Sequence, residues 1–126
     1  MTVTVHWYDG KHTILLIQYL KGWSLEDAAT TIATAQWMIR HRDHAVHVVV
    51  DFSNEHHSAS AHDYTLNARQ LAQGFPRLFL VRPNIYTTTA LRVLNEHEPS
   101  AQRFKFAESL NDALTYLSGQ WAHLSV

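Results

Sequence analysis

The chain has no cysteine in its 126 residues. That excludes disulfides, thiolate catalysis and cysteine-ligated zinc. Its four glycines and three prolines stand singly, so no glycine-rich phosphate loop and no low-complexity linker can be assembled from them. Neither sign of charge dominates: ten Lys and Arg face eleven Asp and Glu, for a formal charge of −1. Without a basic surplus there is no general attraction for nucleic acid or an anionic membrane, and neither is expected as a partner. No apolar run approaches the ~20 residues of a transmembrane helix. The opening residues, Met1-Thr2-Val3-Thr4-Val5-His6, carry neither the charged region nor the apolar stretch of a secretory signal. A cytoplasmic protein without a transmembrane segment is the expectation.

What is present points to a folded domain. Apolar residues make up 46% of the chain, the composition of a compact globule rather than a disordered segment. A chain of this length buries about two thirds of its unfolded surface, and a single domain over 1–126 is expected. Histidine is the unusual abundance, with ten copies. Imidazoles change charge in mildly acidic solution, so a pH-dependent association is conceivable.

The organising stretch is Ala45-Val46-His47-Val48-Val49-Val50-Asp51-Phe52-Ser53. A short apolar run rich in β-branched residues reads as a strand covered on both faces. Val46, Val48, Val50 and Phe52 point one way; Ala45, His47, Val49 and Asp51 point the other. Asp51 stands at the carboxyl end, where ligands gather in open α/β sheets.

Around it the elements follow in order. Val3, Val5 and Trp7 alternate with polar residues as a half-buried strand. Asp9-Gly10 signals a hairpin turn, with Gly accepting a positive φ. His12 to Leu20 is a second, interior strand. Ser24-Leu25-Glu26-Asp27 starts a helix expected to run to about Arg40–Arg42. The polar run from Asn54 to Asp63 reads as a loop. A second helix is expected from roughly Asp63 to Gln73, stopped by Gly74 in a left-handed conformation and then Pro76. Arg77 to Arg82 is a short strand, and Asn84 caps a third helix to about Glu96. Glu98-Pro99-Ser100 is a turn, and Arg103 to Ala107 an edge strand. Ser109-Leu110-Asn111-Asp112 opens a last helix with Leu110, Ala113, Leu114, Leu117 and Trp121 as its stripe and Gly119 as a candidate end. The order β-β-α-β-α-β-α-β-α predicts about five mostly parallel strands after an N-terminal hairpin, with about four helices.

These residues carry a resemblance. A β-hairpin, then Gly22-Trp23-Ser24-Leu25-Glu26 opening a long helix, then a Val-rich strand ending in Asp51-Phe52-Ser53, then Phe104 to Leu117 as F-K-F-A-E-S-L-N-D-A-L-T-Y-L, together resemble the SpoIIAA-like family. This is the STAS and SEC14-related group of small α/β domains, and the resemblance covers nearly the whole chain. It implies a (β-α)n sandwich. It also implies a protein-interaction module, in some members switched by phosphorylation of a serine, or a holder of apolar or lipid-like ligands. The D-S-S-G type phosphoacceptor motif of the switch members is absent; a histidine-rich loop follows Asp51-Phe52-Ser53 instead.

Several constellations could carry chemistry. Asp51, Ser53, His56, His57 and Asn84 are the candidate ligand- or partner-binding residues at the strand ends. His56, His57 and His62 have the ligand type for zinc, copper or nickel, though their spacing matches no strong zinc motif. His41, His44 and His47 form a second cluster. Asp51, Ser53 and the loop histidines are hydrolase residue types, but no G-x-S-x-G elbow accompanies them, and no catalytic residue is assigned. Arg77, Arg82 and Arg92 could meet an anion near the Asn84 helix start. Trp37, off its helix's apolar stripe, is expected to be exposed beside Met38. With helices on one face of the sheet, the other face, carrying His6, His47 and Asp51, needs a helix, a partner or a ligand over it. The expectation is a non-enzymatic interaction or regulatory module, a homodimer with no cofactor. The alternatives are a small apolar-ligand carrier and a His-dependent metal-binding protein or hydrolase.

Overall fold

Ser24, Ser60 and Ser109 each open a helix in the same way. The hydroxyl accepts the backbone N–H three residues on, from Asp27, Asp63 and Asp112, at 3.1, 3.1 and 3.0 Å. An oxygen there satisfies one of the orphan donors of the first turn, and the acid favours the positive end of the dipole. Asn84 does the same through Oδ1 for Thr87 at 3.0 Å. In the computed structural model, which describes residues 1–97 and 103–124 and side chains through 119, the helices are α1 (Leu25–Arg40), α2 (Ala61–Gly74), α3 (Ile85–His97) and α4 (Leu110–Leu124). The strands are β1 (Val3–Trp7), β2 (Ile14–Leu20), β3 (His47–Asn54), β4 (Leu78–Val81) and β5 (Phe104–Ala107).

The five strands form one sheet in the order β1-β2-β3-β4-β5. β1 and β2 are antiparallel and the remaining pairs parallel. The expected α/β architecture of five strands and four helices is the observed one. Val48, Val50 and Phe52 of β3 join Leu15, Ile17 and Leu80 in a large core with Ile32, Leu71 and Leu91 from the first three helices. Val49 looks the other way, into a smaller core with Ile14, Leu16, Phe79 and Val81 under Ala113 and Leu117 of α4. The face expected to need a cover therefore has the chain's own α4 on it. A bare sheet face is no longer a reason for a second copy. No helix among the described residues is long and apolar enough to cross a membrane.

Helix side chains seal backbone groups at both sheet edges. On β1, Thr31 of α1 donates its hydroxyl to the Val3 carbonyl at 2.8 Å, and just before the strand Asp27 accepts the Thr2 N–H at 3.2 Å. On β5, the Asn95 amide of α3 donates to the Phe104 carbonyl at 2.9 Å and accepts its N–H at 3.1 Å. A bound edge group offers no template to a foreign strand.

Local turns differ from expectation in instructive ways. The hairpin loop is longer than an Asp-Gly turn. Asp9 gathers the N–H groups of Thr13 and Ile14 at 2.8 and 3.1 Å, and the positive φ falls on His12, at 57°, not on Gly10. α2 begins at Ala61 rather than Asp63, because Ser60 is its cap. α4 passes through Gly119 to Leu124. The expected Glu98-Pro99-Ser100 turn and the packing of Trp121 lie outside the described residues. Gly74 ends α2 without a left-handed φ. Its smallness serves another purpose: a Cβ there would come within 2.9 Å of Ile32 Cγ2, and Gln36 Nε2 donates to the Gly74 carbonyl at 2.9 Å. Close approach of α1 to the end of α2 requires the missing side chain. Gly74→Ala is expected to destabilise the fold by about 1–3 kcal/mol through overpacking. Chemical denaturation checks this, and an unchanged midpoint would show that the helices have room.

Candidate functional site

At the carboxyl ends of the parallel strands a polar network centres on Glu55. This residue follows β3 directly and is only 3% exposed. A carboxylate taken out of water loses several kcal/mol of hydration unless donors replace it. Here they do. Trp23 Nε1–H donates to Oε2 at 3.2 Å, and the Tyr64 hydroxyl donates at 2.7 Å to the same oxygen. The backbone N–H groups of His57 and Ser58 complete the set at 3.0 and 3.2 Å. To turn those amides inward, His56 and His57 adopt left-handed φ of 56° and 52°, a conformation that costs a non-glycine residue about 1 kcal/mol or more. Bonds to a charged acceptor, worth about 1.5–3 kcal/mol each, offset that strain.

Glu55 ties its own loop to the β2–α1 segment and to the start of α2. Trp23 begins the segment leading into α1, and Tyr64 lies in the first turn of α2. Gly22 N–H donates to Ser58 Oγ at 2.9 Å across the same gap, with Gly22 at φ 78°. Tyr64 stacks on Tyr86 of α3, with centroids 6.5 Å apart. Behind the network Tyr19 packs edge-on to Trp23 and stacks on Phe52, while its hydroxyl accepts from Asn67 Nδ2 at 2.7 Å. Burial pushes the Tyr19 phenol well above its ordinary range, partly offset by the Asn67 bond. Burial, reinforced by the Glu55 bond and carboxylate, pushes Tyr64 up to about 12, with Asn84 and the Ala59 N–H pulling the other way.

The sequence candidates divide into separate groups. Asp51 is 4% exposed. Its Oδ1 accepts from Ser53 N–H at 2.9 Å and Ser53 Oγ at 2.6 Å, a closed local turn. The side chains of His56 and His57 are exposed on the strained loop, and His57 Nδ1 lies 3.9 Å from Glu55 Oε1. His62 sits on α2, exposed, not in the loop. Among the described residues no three His, Asp or Glu side chains form a group that could hold a metal ion. Asn84 caps α3 and reaches the Tyr64 hydroxyl's surroundings. Arg77 and Arg82 flank opposite ends of β4, so they do not converge; Arg82 adopts φ 50° beside Pro83. Trp37 is exposed, as expected, at 58%, and its ring meets His41 at 4.4 Å.

The second histidine cluster lies at the other end of the sheet. His44 places Nε2 2.9 Å from the His12 carbonyl and Nδ1 3.3 Å from Asp43. Those two acceptors favour the imidazolium and raise its pKa, the carbonyl most. His47, half-buried, is lowered by desolvation and then by Lys105. Glu55, Trp23 and Tyr64 were not among the sequence candidates. The available signal was the S-x-x-D spacing at Ser60, which starts α2 early enough to aim Tyr64 back at Glu55. Comparison with protein-family models, curated proteins and solved structures finds no match to this chain.

Because Tyr64 titrates higher in the folded state than its free value near 10, its contribution to stability is intact below about 10 and is lost as the pH rises toward about 12. Tyr64→Phe removes that dependence and leaves Glu55 one donor short. The variant is expected to lose about 1–3 kcal/mol at neutral pH. The gap to the parent should narrow in alkali, measured by urea denaturation across the pH range. A constant gap would contradict the assignment.

Proposed function

We propose that this chain is a non-enzymatic protein-interaction module of the SpoIIAA-like, STAS-related kind. The sequential sheet, with its hairpin start and its strands linked through helices, supports that kinship. The observation that carries the functional reading is the surface built on the Glu55 network. Ile85 and Tyr86, at 73% and 50% exposure, open α3 side by side. Tyr86 is braced by Tyr64, and beside Tyr64 the Glu55-anchored loop turns His56 and His57 outward. Exposed apolar and aromatic side chains on a rigid polar frame have the composition of a contact surface. The polar groups beneath are engaged with the chain's own backbone and rings: Asp51 with Ser53, and Glu55 with its four donors.

A second copy is the partner proposed for this surface. An isologous contact would bring Ile85 and Tyr86 of two chains together and bury both. Light scattering over a concentration series tests this. The parent chain is expected at twice the monomer mass, and Ile85→Ser/Tyr86→Ser at the monomer mass with an unchanged thermal melt. A parent that stays monomeric throughout, or a variant that stays dimeric, would contradict it.

A further inference from the structure

A depression of about 480 Å³, open to solvent, crosses the β5 edge of the sheet. Neighbouring side chains of a strand point to opposite faces, so Lys105 and Phe106 stand on either side of it. Arg92 of α3 lies over the Phe106 ring at 5.4 Å. Lys105 lies over the Tyr116 ring of α4 at 4.7 Å, with Nζ 2.6 Å from its hydroxyl. Phe79 and Asn95 complete the lining that matters here. Among the described residues neither Arg92 nor Lys105 is paired with a carboxylate. Both charges rest on aromatic faces, which position a cation without neutralising it.

We propose that this groove docks a short acidic segment of another protein, one that carries an aromatic or aliphatic residue between its carboxylates. Two cations on either side of the β5 edge, neither with a carboxylate partner among the described residues, call for anionic groups, and the partly open rings of Phe106 and Tyr116 beneath them call for an apolar one. The groove is too open to enclose a small molecule, whose sites usually cover about 70–90% of the ligand surface; a peptide needs cover on one side only. Asn95 already holds both the N–H and the carbonyl of Phe104. Strand addition is blocked at that residue, which leaves the four-residue β5 little room for a backbone ladder and gives side chains the larger part in recognition. The guanidinium and the ring edges supply the residue types that dominate binding energy at such surfaces. This surface is separate from the one at Ile85 and Tyr86, and it stands whether or not the chain dimerises.

Selection of short random peptides displayed on phage against the intact chain tests the proposal. Enriched peptides are expected to combine Asp or Glu with Phe, Tyr, Trp or Leu. Their binding to the purified chain should weaken with added salt and fall by about tenfold or more in Arg92→Glu/Lys105→Glu. Should charge reversal lower the melt, Arg92→Gln/Lys105→Gln gives the same comparison with the charges only removed. No enrichment, enrichment of basic or uncharged sequences, or binding that survives both double variants would overturn the proposal.

Discussion

The structure at the carboxyl end of the sheet depends on one buried carboxylate. Among the described residues no guanidinium or ammonium pairs with Glu55; its donors are an indole, a phenol and two backbone amides. The cost of burying the charge is met by its own loop, the segment before α1 and the first turn of α2. That arrangement ties these segments together, because releasing any one of them leaves the carboxylate under-solvated. It also explains why two consecutive histidines tolerate a left-handed backbone. Their strain is about the size of one good bond to the carboxylate.

From this constraint the outer surface follows. The loop backbone at His57 and Ser58 is held from beneath, and Tyr64 stacks on Tyr86. Groups held in place lose little conformational entropy on association. The two sheet edges show the opposite tendency. Thr31 and Asn95 close edge backbone groups that could otherwise pair with a foreign strand. Closed edge groups of this kind favour the side-chain contacts proposed at the α3 start and at the β5 groove over pairing of strands.

Much of the fold was legible in the sequence because its signals are local. Val48, Val49 and Val50 alternate between two cores as the period of a strand requires, and Ser24 and Asn84 cap the helices they precede. The site was less legible because its two side-chain donors come from other elements. Glu55 lies within a polar run that reads as a loop, and nothing in that run distinguishes a buried carboxylate from a solvated one. Its partners stand 32 and 9 residues away, at Trp23 and Tyr64. Gly74 was legible as a helix end but not for its reason, since close contact with Ile32 depends on how α1 crosses α2. The need for a cover over the second sheet face was readable; that α4 supplies it was not, because a helix's apolar stripe does not say which face it packs on.

Amide hydrogen exchange at His57 and Ser58, compared between the parent chain and Glu55→Gln, tests the central claim most directly. The glutamine keeps the shape but turns an NH₂ group toward donors that need an acceptor. The expected result is protected amides in the parent and exchange faster by about tenfold or more in the variant, with a stability loss of about 2–4 kcal/mol. Equal protection of both amides, with an unchanged denaturation midpoint, would contradict a carboxylate that holds this end of the molecule together.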